Sequence, residues 1–182
     1  MKNIFLALVH YPVLRDGSVI TSSLTNLDIH DISRVSSTYG LGGYFIVHPD
    51  EKMRTIANKL AGHWVSGEGK VQNPDRSKAL EILHIVRSLE DVVEHIEKIS
   101  GMKPLIIGTS ARKRDKTITI KALKNKKNLP ALILFGTAGG IDDKILDSLD
   151  YCLEPIDTGS GYNHLSVRSA VSIFIDRLFM SD

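Results

Sequence analysis

One stretch of the chain, Leu129–Ile141, constrains the fold more than any other. Its apolar run, bounded by proline and glycine, is typical of a strand buried on both faces, as in parallel sheets covered by helices. The run ends in a turn that contains Gly136, Gly139 and Gly140, which have no Cβ atom and let a ligand approach the backbone closely. Because ligands of open α/β sheets bind beyond the carboxyl ends of the strands, this turn is the first candidate for a small-molecule site.

The size and composition of the chain indicate one ordinary globular unit. With 182 residues, of which 42% are hydrophobic, we expect a single domain spanning residues 1–182. A net charge of +2 gives no general attraction for nucleic acid, so local clusters of charge matter more. The single cysteine, Cys152, excludes an internal disulfide and a cysteine-based zinc site, and fits a reducing cytoplasm. No apolar run approaches the about 18 residues of a membrane helix, so we expect a cytoplasmic protein without a membrane span.

Short apolar runs alternate along the chain with stretches of helical periodicity. The spacing predicts strands at Ile4–Val9, Gly42–Val47, His84–Val86, Pro104–Thr109, Leu129–Phe135 and Tyr151–Leu153. It predicts helices from Asp28 as N-cap, from Pro49, and over Arg76–Leu83, Leu89–Ile99, Asp142–Leu149 and His164–Phe179. A polar loop to Thr25 with an Asp16-Gly17 turn, and a mobile loop over Val65–Asp75, complete the prediction. The fold class is therefore α/β, with a mostly parallel sheet and helices on both faces.

Two helices carry further information in their faces. Ile29 and Ile32 belong to the buried stripe of the first helix, so Arg34, about 200° round from Ile32, points away from the core. The last helix has a complete inward stripe, but Ile173 and Phe179 lie off it. A helix that is apolar on a second side is either central to its domain or part of a subunit interface.

The segment Arg112–Lys127 concentrates positive charge. It holds eight basic residues against one acid, Asp115. The segment is either a solvated helix and loop face or a surface that contacts phosphates of RNA, in which case binding depends steeply on salt.

Several common chemistries lack their motifs. The G-x-G-x-x-G pattern after the first strand and the P-loop pattern are both absent, although Glu154 could contact a ribose and keeps another nucleotide-using enzyme open. The histidines are dispersed, and in the tight cluster Asp28-Ile29-His30-Asp31 the histidine does not share the face of the two acids, which disfavours a metal site. Cys152 lies in a predicted strand and is expected to be buried rather than nucleophilic.

Three separated stretches together resemble the SPOUT class of RNA methyltransferases. Asn26 to Arg34, followed by Tyr39-Gly40, resembles the first motif of the class, and Leu132–Ile141 resembles the second. Glu154-Pro155-Ile156 with Tyr162–Ala170 resembles the third, in which a proline and then Asn-x-Leu-Ser-Val-x-x-Ala is characteristic. The chain is most similar to the small family found beside, or fused to, bacterial tRNA guanine methyltransferases.

This resemblance implies a fold, a cofactor and partners. Members have an α/β fold whose C-terminal segment threads a deep trefoil knot, an exception to the usual un-knotted topology. They are homodimers that methylate RNA, here tRNA or rRNA, and bind S-adenosylmethionine in the knot. Carried over, the cofactor walls are Thr109, Phe135, Gly136, Thr137, Gly140, Glu154, Pro155, Ile156, Leu165, Ser166 and Val167.

The resemblance also implies catalytic and RNA-binding residues. Arg34 resembles the motif-one arginine that ribose methyltransferases of the class present from the partner subunit. Asn163 and His164 are the polar residues at the pocket rim, where Asn163 is expected to cap the last helix and His164 could act as a base. RNA recognition falls to the Val65–Asp75 loop and to the basic segment, in particular to Arg112, Lys113, Arg114 and Lys116.

The sequence leaves two questions open. The first motif lacks the fuller pattern of the ribose methyltransferases, so either a base or a ribose could be methylated. The alternative to an enzyme is a non-catalytic RNA-binding or regulatory module that retains the S-adenosylmethionine pocket.

Overall fold

The computed structural model describes residues 3–126 and 128–180 of the chain. Strands and helices follow one another as β1 (Ile4–Val9), β2 (Val13–Arg15), β3 (Ser18–Ile20), α1 (Asn26–Thr38), β4 (Gly43–Val47), α2 (Glu51–Val65), α3 (Gly69–Gln72), α4 (Pro74–Leu80), β5 (Leu83–Val86), α5 (Leu89–Ser100), β6 (Leu105–Gly108), β7 (Thr117–Ile118), α6 (Ile120–Lys124), β8 (Ala131–Gly136), α7 (Asp143–Ser148), β9 (Tyr151–Leu153) and α8 (Val167–Phe179). Lys127, the last residue of the predicted basic segment, lies outside the described ranges.

Within the described residues, seven strands form one parallel sheet in the order β5-β4-β1-β8-β6-β9-β7. The predicted buried strand, now β8, lies between β1 and β6, with Ile4 paired to Ala131 and Leu105 paired to the same residue. Alternate residues of β1 and β8 lie on opposite faces of the sheet. One face packs against α1, α2, α4, α6 and α8, and the other face packs against α5 and α7. The prediction of an α/β fold with a mostly parallel sheet and helices on both faces is confirmed.

The predicted polar loop before Thr25 contains a hairpin. Strands β2 and β3 pair antiparallel around Asp16 and Gly17, both of which have positive φ angles (50° and 78°). The turn was correctly predicted, but strands of three residues carry too little periodicity to be recognised.

The first helix begins earlier than predicted. Thr25 is its N-cap, and Asp28 is the third helical residue, whose carboxylate accepts a bond from the Thr25 hydroxyl at 2.5 Å. The expectation that Asp28 is the N-cap is therefore wrong. The two residues form a capping box, in which cap and third residue satisfy each other's backbone amides.

The predicted mobile loop over Val65–Asp75 is largely helical. Helix α3 lies inside it, and α4 begins at Pro74 because Asn73 accepts a bond from the Arg76 amide at 2.9 Å. Gly69 is buried, and a Cβ atom there would lie 2.6 Å from the Trp64 ring. Glycine therefore serves close packing at this point rather than flexibility, and the loop prediction is wrong.

Candidate functional site

Three loops lie side by side at the end of the sheet where its parallel strands finish. Strands β8, β6 and β9 are neighbours and run parallel, so the segments after Gly136, Gly108 and Leu153 emerge at the same end. The start of α8 joins them, because the Asn163 side-chain amide donates to the Ala111 carbonyl at 2.9 Å. The structure thus gathers the stretches that carry the second and third motifs at one end of the sheet.

The first loop is Gly136–Gly140, which we name the glycine loop. Phe135, the predicted wall residue directly before this loop, is 2% exposed and packs against Phe174, with 6.0 Å between ring centroids. Phe135 can therefore offer a ligand only its backbone. Thr109, from the neighbouring loop, donates its hydroxyl to the Leu134 carbonyl at 2.8 Å and ties that loop to strand β8 just before the glycine loop.

The other walls combine a carboxylate with apolar groups. Glu154 is exposed, while Pro155 and Ile156 are half-buried. Leu165, just before α8, is 45% exposed, and Val167 packs partly on the core. One exposed and several half-buried apolar side chains, together with an acid and a glycine-rich backbone, suit a ligand that joins an aromatic base to a cationic sulfonium, as S-adenosylmethionine does.

Among the residues at the rim, Asn163 does not have the structural task expected of it. Ser166 is the N-cap of α8, accepting a bond from the Ser169 amide at 3.3 Å. The expectation that Asn163 caps this helix is therefore wrong, since its amide holds the Ala111 carbonyl. His164 is exposed and packs edge-on against the Tyr162 ring, with 5.4 Å between centroids.

Arg34 is exposed on α1, as its position relative to Ile32 predicts. No hydrogen bond or ion pair joins it to another residue in the part of the chain that the structure describes. The guanidinium is therefore available to a group outside the protomer.

The basic segment is partly neutralised by helix α7. Arg112 and Arg114 both bind the Asp143 carboxylate, at 3.0 and 2.8 Å, and Arg114 also binds Asp147 at 2.6 Å. Lys116 Nζ donates to the Asp147 carbonyl at 3.2 Å, whereas Lys113 is exposed without an ion pair among the described residues. The two acids lie some thirty positions along the chain, so a local count of charges misses them.

The acids of the tight Asp-His cluster are held by protein groups. Asp28 belongs to the capping box, and Arg168 binds both acids, Asp31 at 3.3 Å and Asp28 at 3.7 Å. His30 packs edge-on against Trp64. Within residues 3–126 and 128–180, no group of three or more His, Cys, Asp or Glu side chains could hold a metal ion, and no helix there is long and apolar enough to cross a membrane.

A buried polar cluster beside the glycine loop was not predicted. His10 follows β1 and is fully buried, and its Nδ1 lies 2.9 Å from the Ser22 hydroxyl. That hydroxyl also bonds to Thr137 of the glycine loop, and His48 Nε2 bonds to the Ser22 carbonyl at 3.1 Å. The only sequence signal is that His10 and His48 each directly follow an apolar strand.

We expect the burial of His10 to make the protein sensitive to acid. Burial, with a smaller effect of nearby His48, lowers the pKa of His10 from 6.5 to about 4. Between these values the unfolded chain binds a proton that the folded chain does not, so stability falls as the pH falls. The free energy of unfolding, measured with urea, should decrease by about 2 kcal/mol between pH 7.5 and 5 from this residue alone.

The matched variant is His10→Gln, which removes the titrating group and should show a correspondingly shallower pH dependence. An identical slope in the variant and the parent protein would show that His10 does not carry the effect.

The single cysteine, Cys152, is buried as predicted. It is 2% exposed, and burial raises the pKa of its thiol.

A sequence model of a family described as SAM-dependent RNA methyltransferase matches residues 3–180. The chain belongs to this family. Its cofactor is S-adenosylmethionine, its activity is methyl transfer to RNA, and the SPOUT assignment is confirmed.

Relatives and solved structures agree with this assignment. The methyltransferase is 44% identical over 178 residues to a protein of Oleidesulfovibrio alaskensis named tRNA (guanine-N(1)-)-methyltransferase, covering 97% of this chain but 42% of that protein. It is 40% identical to an uncharacterized protein of Aquifex aeolicus, covering 98% of this chain and 89% of the relative. A probable methylase family protein from Haemophilus influenzae superposes with a TM-score of 0.63 at 21% identity, over 97% of this chain and 65% of that one, which shows the fold alone.

Proposed function

We propose that this methyltransferase acts on tRNA as a homodimer, with its cofactor bound beyond the carboxyl ends of β8, β6 and β9. The name of the Oleidesulfovibrio alaskensis relative supports tRNA as the substrate. The chain spans 42% of that relative, so the relative's name supports the class of RNA rather than the methylated position. Both a base nitrogen and a ribose hydroxyl remain chemically open as the acceptor.

The proposed cofactor walls are the glycine loop, Thr109, the Glu154–Ile156 turn, and the start of α8 from Leu165 to Val167. The observation that carries this proposal is the Asn163–Ala111 hydrogen bond, which fixes the start of α8 to the loop after β6. When bound, the cofactor supplies a methyl group on a positively charged sulfur. The protein then has to hold the RNA acceptor in line with that group and exclude water.

Arg34 is proposed to enter the site of the partner subunit. A guanidinium can orient a phosphate or stabilise an oxygen as it loses its proton, and Arg34 has no partner of its own in the described ranges. His164, exposed at the rim, is proposed as the group that accepts this proton or binds an RNA phosphate.

Helices α1 and α8 are the proposed dimer surface. They lie side by side, joined by the Tyr39 hydroxyl, which donates to Asp176 at 2.7 Å, and by edge-on packing of the Tyr39 and Phe179 rings. Leu27 at the start of α1 remains 53% exposed, an apolar side chain that a second subunit could cover.

We also propose that the C-terminal segment is knotted. After β9, near the edge of the sheet, the chain returns to pack α8 against β8 and α1. A crystal structure that traces the backbone from β6 to the end of α8 tests this topology.

The decisive experiment for the substrate is transfer of a radiolabelled methyl group to RNA from a strain that lacks the protein. We expect label in the tRNA fraction, and mapping of the modified nucleotide then distinguishes base from ribose. Label in rRNA alone would overturn the tRNA proposal. Cofactor binding without label in the tRNA fraction would overturn it equally.

The basic segment predicts different effects for two neighbouring cations. Lys113→Gln should reduce the salt dependence of RNA binding by about one phosphate contact, because Lys113 is exposed. Arg114→Gln should instead lower the free energy of unfolding by about 1 kcal/mol, because the Arg114 side chain, 15% exposed, is held by two acids.

Filter binding at several salt concentrations and urea unfolding measure the two effects. Lys98→Gln, on the distant helix α5, is the matched control. An equal loss of RNA affinity in all three variants would contradict a specific role for Lys113.

A further inference from the structure

The hairpin formed by β2 and β3 is paired with the glycine loop. Leu14 donates its amide to the Gly140 carbonyl at 2.9 Å, and Gly139 donates its amide to the Leu14 carbonyl at 2.7 Å. Val13 forms a further antiparallel bridge to Ile141. A Cβ atom on Gly139 would lie 2.7 Å from the Leu14 carbonyl oxygen, so glycine is required for this close approach.

A chain of side-chain hydrogen bonds, fully buried at its His10 end, holds the other end of the loop. It links His10 to Ser22, Ser22 to Thr137, and Thr137 to the Val9 carbonyl, which lies 3.2 Å from the Thr137 hydroxyl. A second contact of Ser22, to the His10 carbonyl, is long at 3.5 Å, and that carbonyl already accepts the Ser22 amide.

The direction of this chain follows from its ends. A carbonyl only accepts, so Thr137 donates to Val9 and accepts from Ser22, which in turn accepts from His10 Nδ1–H. His10 Nε2 is then an unprotonated acceptor without a partner among the described residues. The reverse direction would leave a buried N–H donor unpaired at that atom, which proteins tolerate less readily.

Between these two anchors lies a residue in an unfavourable conformation. Ala138 has a φ angle of 52°, in the left-handed region that residues with a Cβ atom rarely adopt. It is exposed, and its amide has no acceptor in the described part of the chain. Such a conformation persists only where its surroundings hold it, and here Thr137 and Gly139 are both held.

We infer that the β2–β3 hairpin and the His10–Ser22–Thr137 chain are positioning elements that preorganise the glycine loop for S-adenosylmethionine. This inference rests on the proposed function, which places the cofactor at that loop. The anchors keep Ala138 in its left-handed conformation before the cofactor arrives and leave its amide free to donate. Without them, part of the binding free energy is spent on ordering the loop, so the apparent affinity falls.

The first test removes the central link with Ser22→Ala, using the exposed neighbour Ser23→Ala as the matched control. We expect calorimetry to show about tenfold weaker cofactor binding in Ser22→Ala and none of this loss in the control. Turnover at saturating cofactor should stay within about twofold of the parent, because bound cofactor restores the loop. Equal affinities in the two variants would overturn the inference.

Two further pairs of measurements keep the test decisive. His10→Leu should weaken cofactor binding like Ser22→Ala, whereas His10→Asn, which keeps a donor towards Ser22, should recover most of the affinity. If the buried variants do not fold, Gly139→Ala disturbs the loop from the hairpin side and should also raise the dissociation constant. Unchanged affinity in Gly139→Ala would count against the inference in the same way.

The failure of this inference is distinguishable from failure of the proposed site. If Gly136→Val loses cofactor binding while Ser22→Ala, His10→Leu and Gly139→Ala keep it, the loop is the site but needs no positioning. If Gly136→Val also keeps full affinity, the proposed site itself is wrong.

Discussion

Replacing Arg34 by alanine is expected to reduce methyl transfer by about a hundredfold or more while cofactor affinity stays unchanged. Arg34 is exposed on α1 and bound to no group within its own protomer in the described ranges, so its loss costs little stability. If it completes the site of the partner subunit, only the step that involves RNA suffers. Calorimetry with S-adenosylmethionine and methylation assays on tRNA separate the two quantities. Arg87→Ala, an exposed arginine after β5, is the matched control.

A mixture of two inactive variants tests whether Arg34 acts across the dimer. Arg34→Ala protomers keep an intact cofactor loop, and Gly136→Val protomers keep an intact Arg34. Random pairing of equal amounts gives heterodimers with one complete site, so about a quarter of the parent activity should return. Mixing that restores nothing, in a protein shown by ultracentrifugation to exchange subunits, would place Arg34 outside the partner's site. Full methylation by Arg34→Ala alone would remove its catalytic role.

Gly136→Val is expected to abolish measurable cofactor binding. A Cβ atom at this position would lie 2.5 Å from the Ile141 amide and 2.8 Å from the Ile141 side chain, so even alanine collides with the returning chain. The damage therefore comes from the glycine loop itself, which can no longer close, rather than from a side chain entering the pocket. We expect at least a hundredfold weaker binding of S-adenosylmethionine, together with a loss of about 2–3 kcal/mol of unfolding free energy.

The control for Gly136 is Gly62→Ala, a helical glycine whose added Cβ atom meets nothing within 4 Å. That variant should keep both affinity and stability. Gly136→Ala should fall between the parent and Gly136→Val in affinity. A valine variant that binds the cofactor like the parent would show that the glycine loop is not a wall of the pocket.

Patterns among neighbouring residues were sufficient to predict most of the strands and helices. The strand that became β8 was predicted from its apolar run, and the outward direction of Arg34 from helical spacing, because burial on both faces and periodicity are properties of neighbouring residues. The motif stretches around Gly136 and Leu165 lie at one end of the sheet, as expected, since parallel strands have their carboxyl ends on the same side.

What the sequence did not predict depends on residues far apart in the chain. The pairing of Arg114 with Asp143 and Asp147 partly neutralises a segment that is basic by a local count of charges. The hydrogen bond from Ser22 to Thr137 joins a serine of the N-terminal polar loop to the glycine loop, 115 positions further along the chain. The predicted N-cap of α8 was wrong because asparagine and serine are both favourable N-cap residues. The Asn163 side chain binds the distant Ala111 carbonyl instead, and Ser166 caps the helix.

The position of β8 also governs how the chain can fold. Strands β1, β4 and β5 are close in sequence and can pair early, yet the sheet centre is complete only when β8 inserts beside β1. The Thr137 hydroxyl reaches Val9 across 128 positions, so this closure carries a large entropic cost and comes late. During synthesis on the ribosome, the apolar edge of β1 that pairs with β8 stays unpaired until most of the polypeptide has been made. That exposed edge is the surface that a chaperone would have to shield.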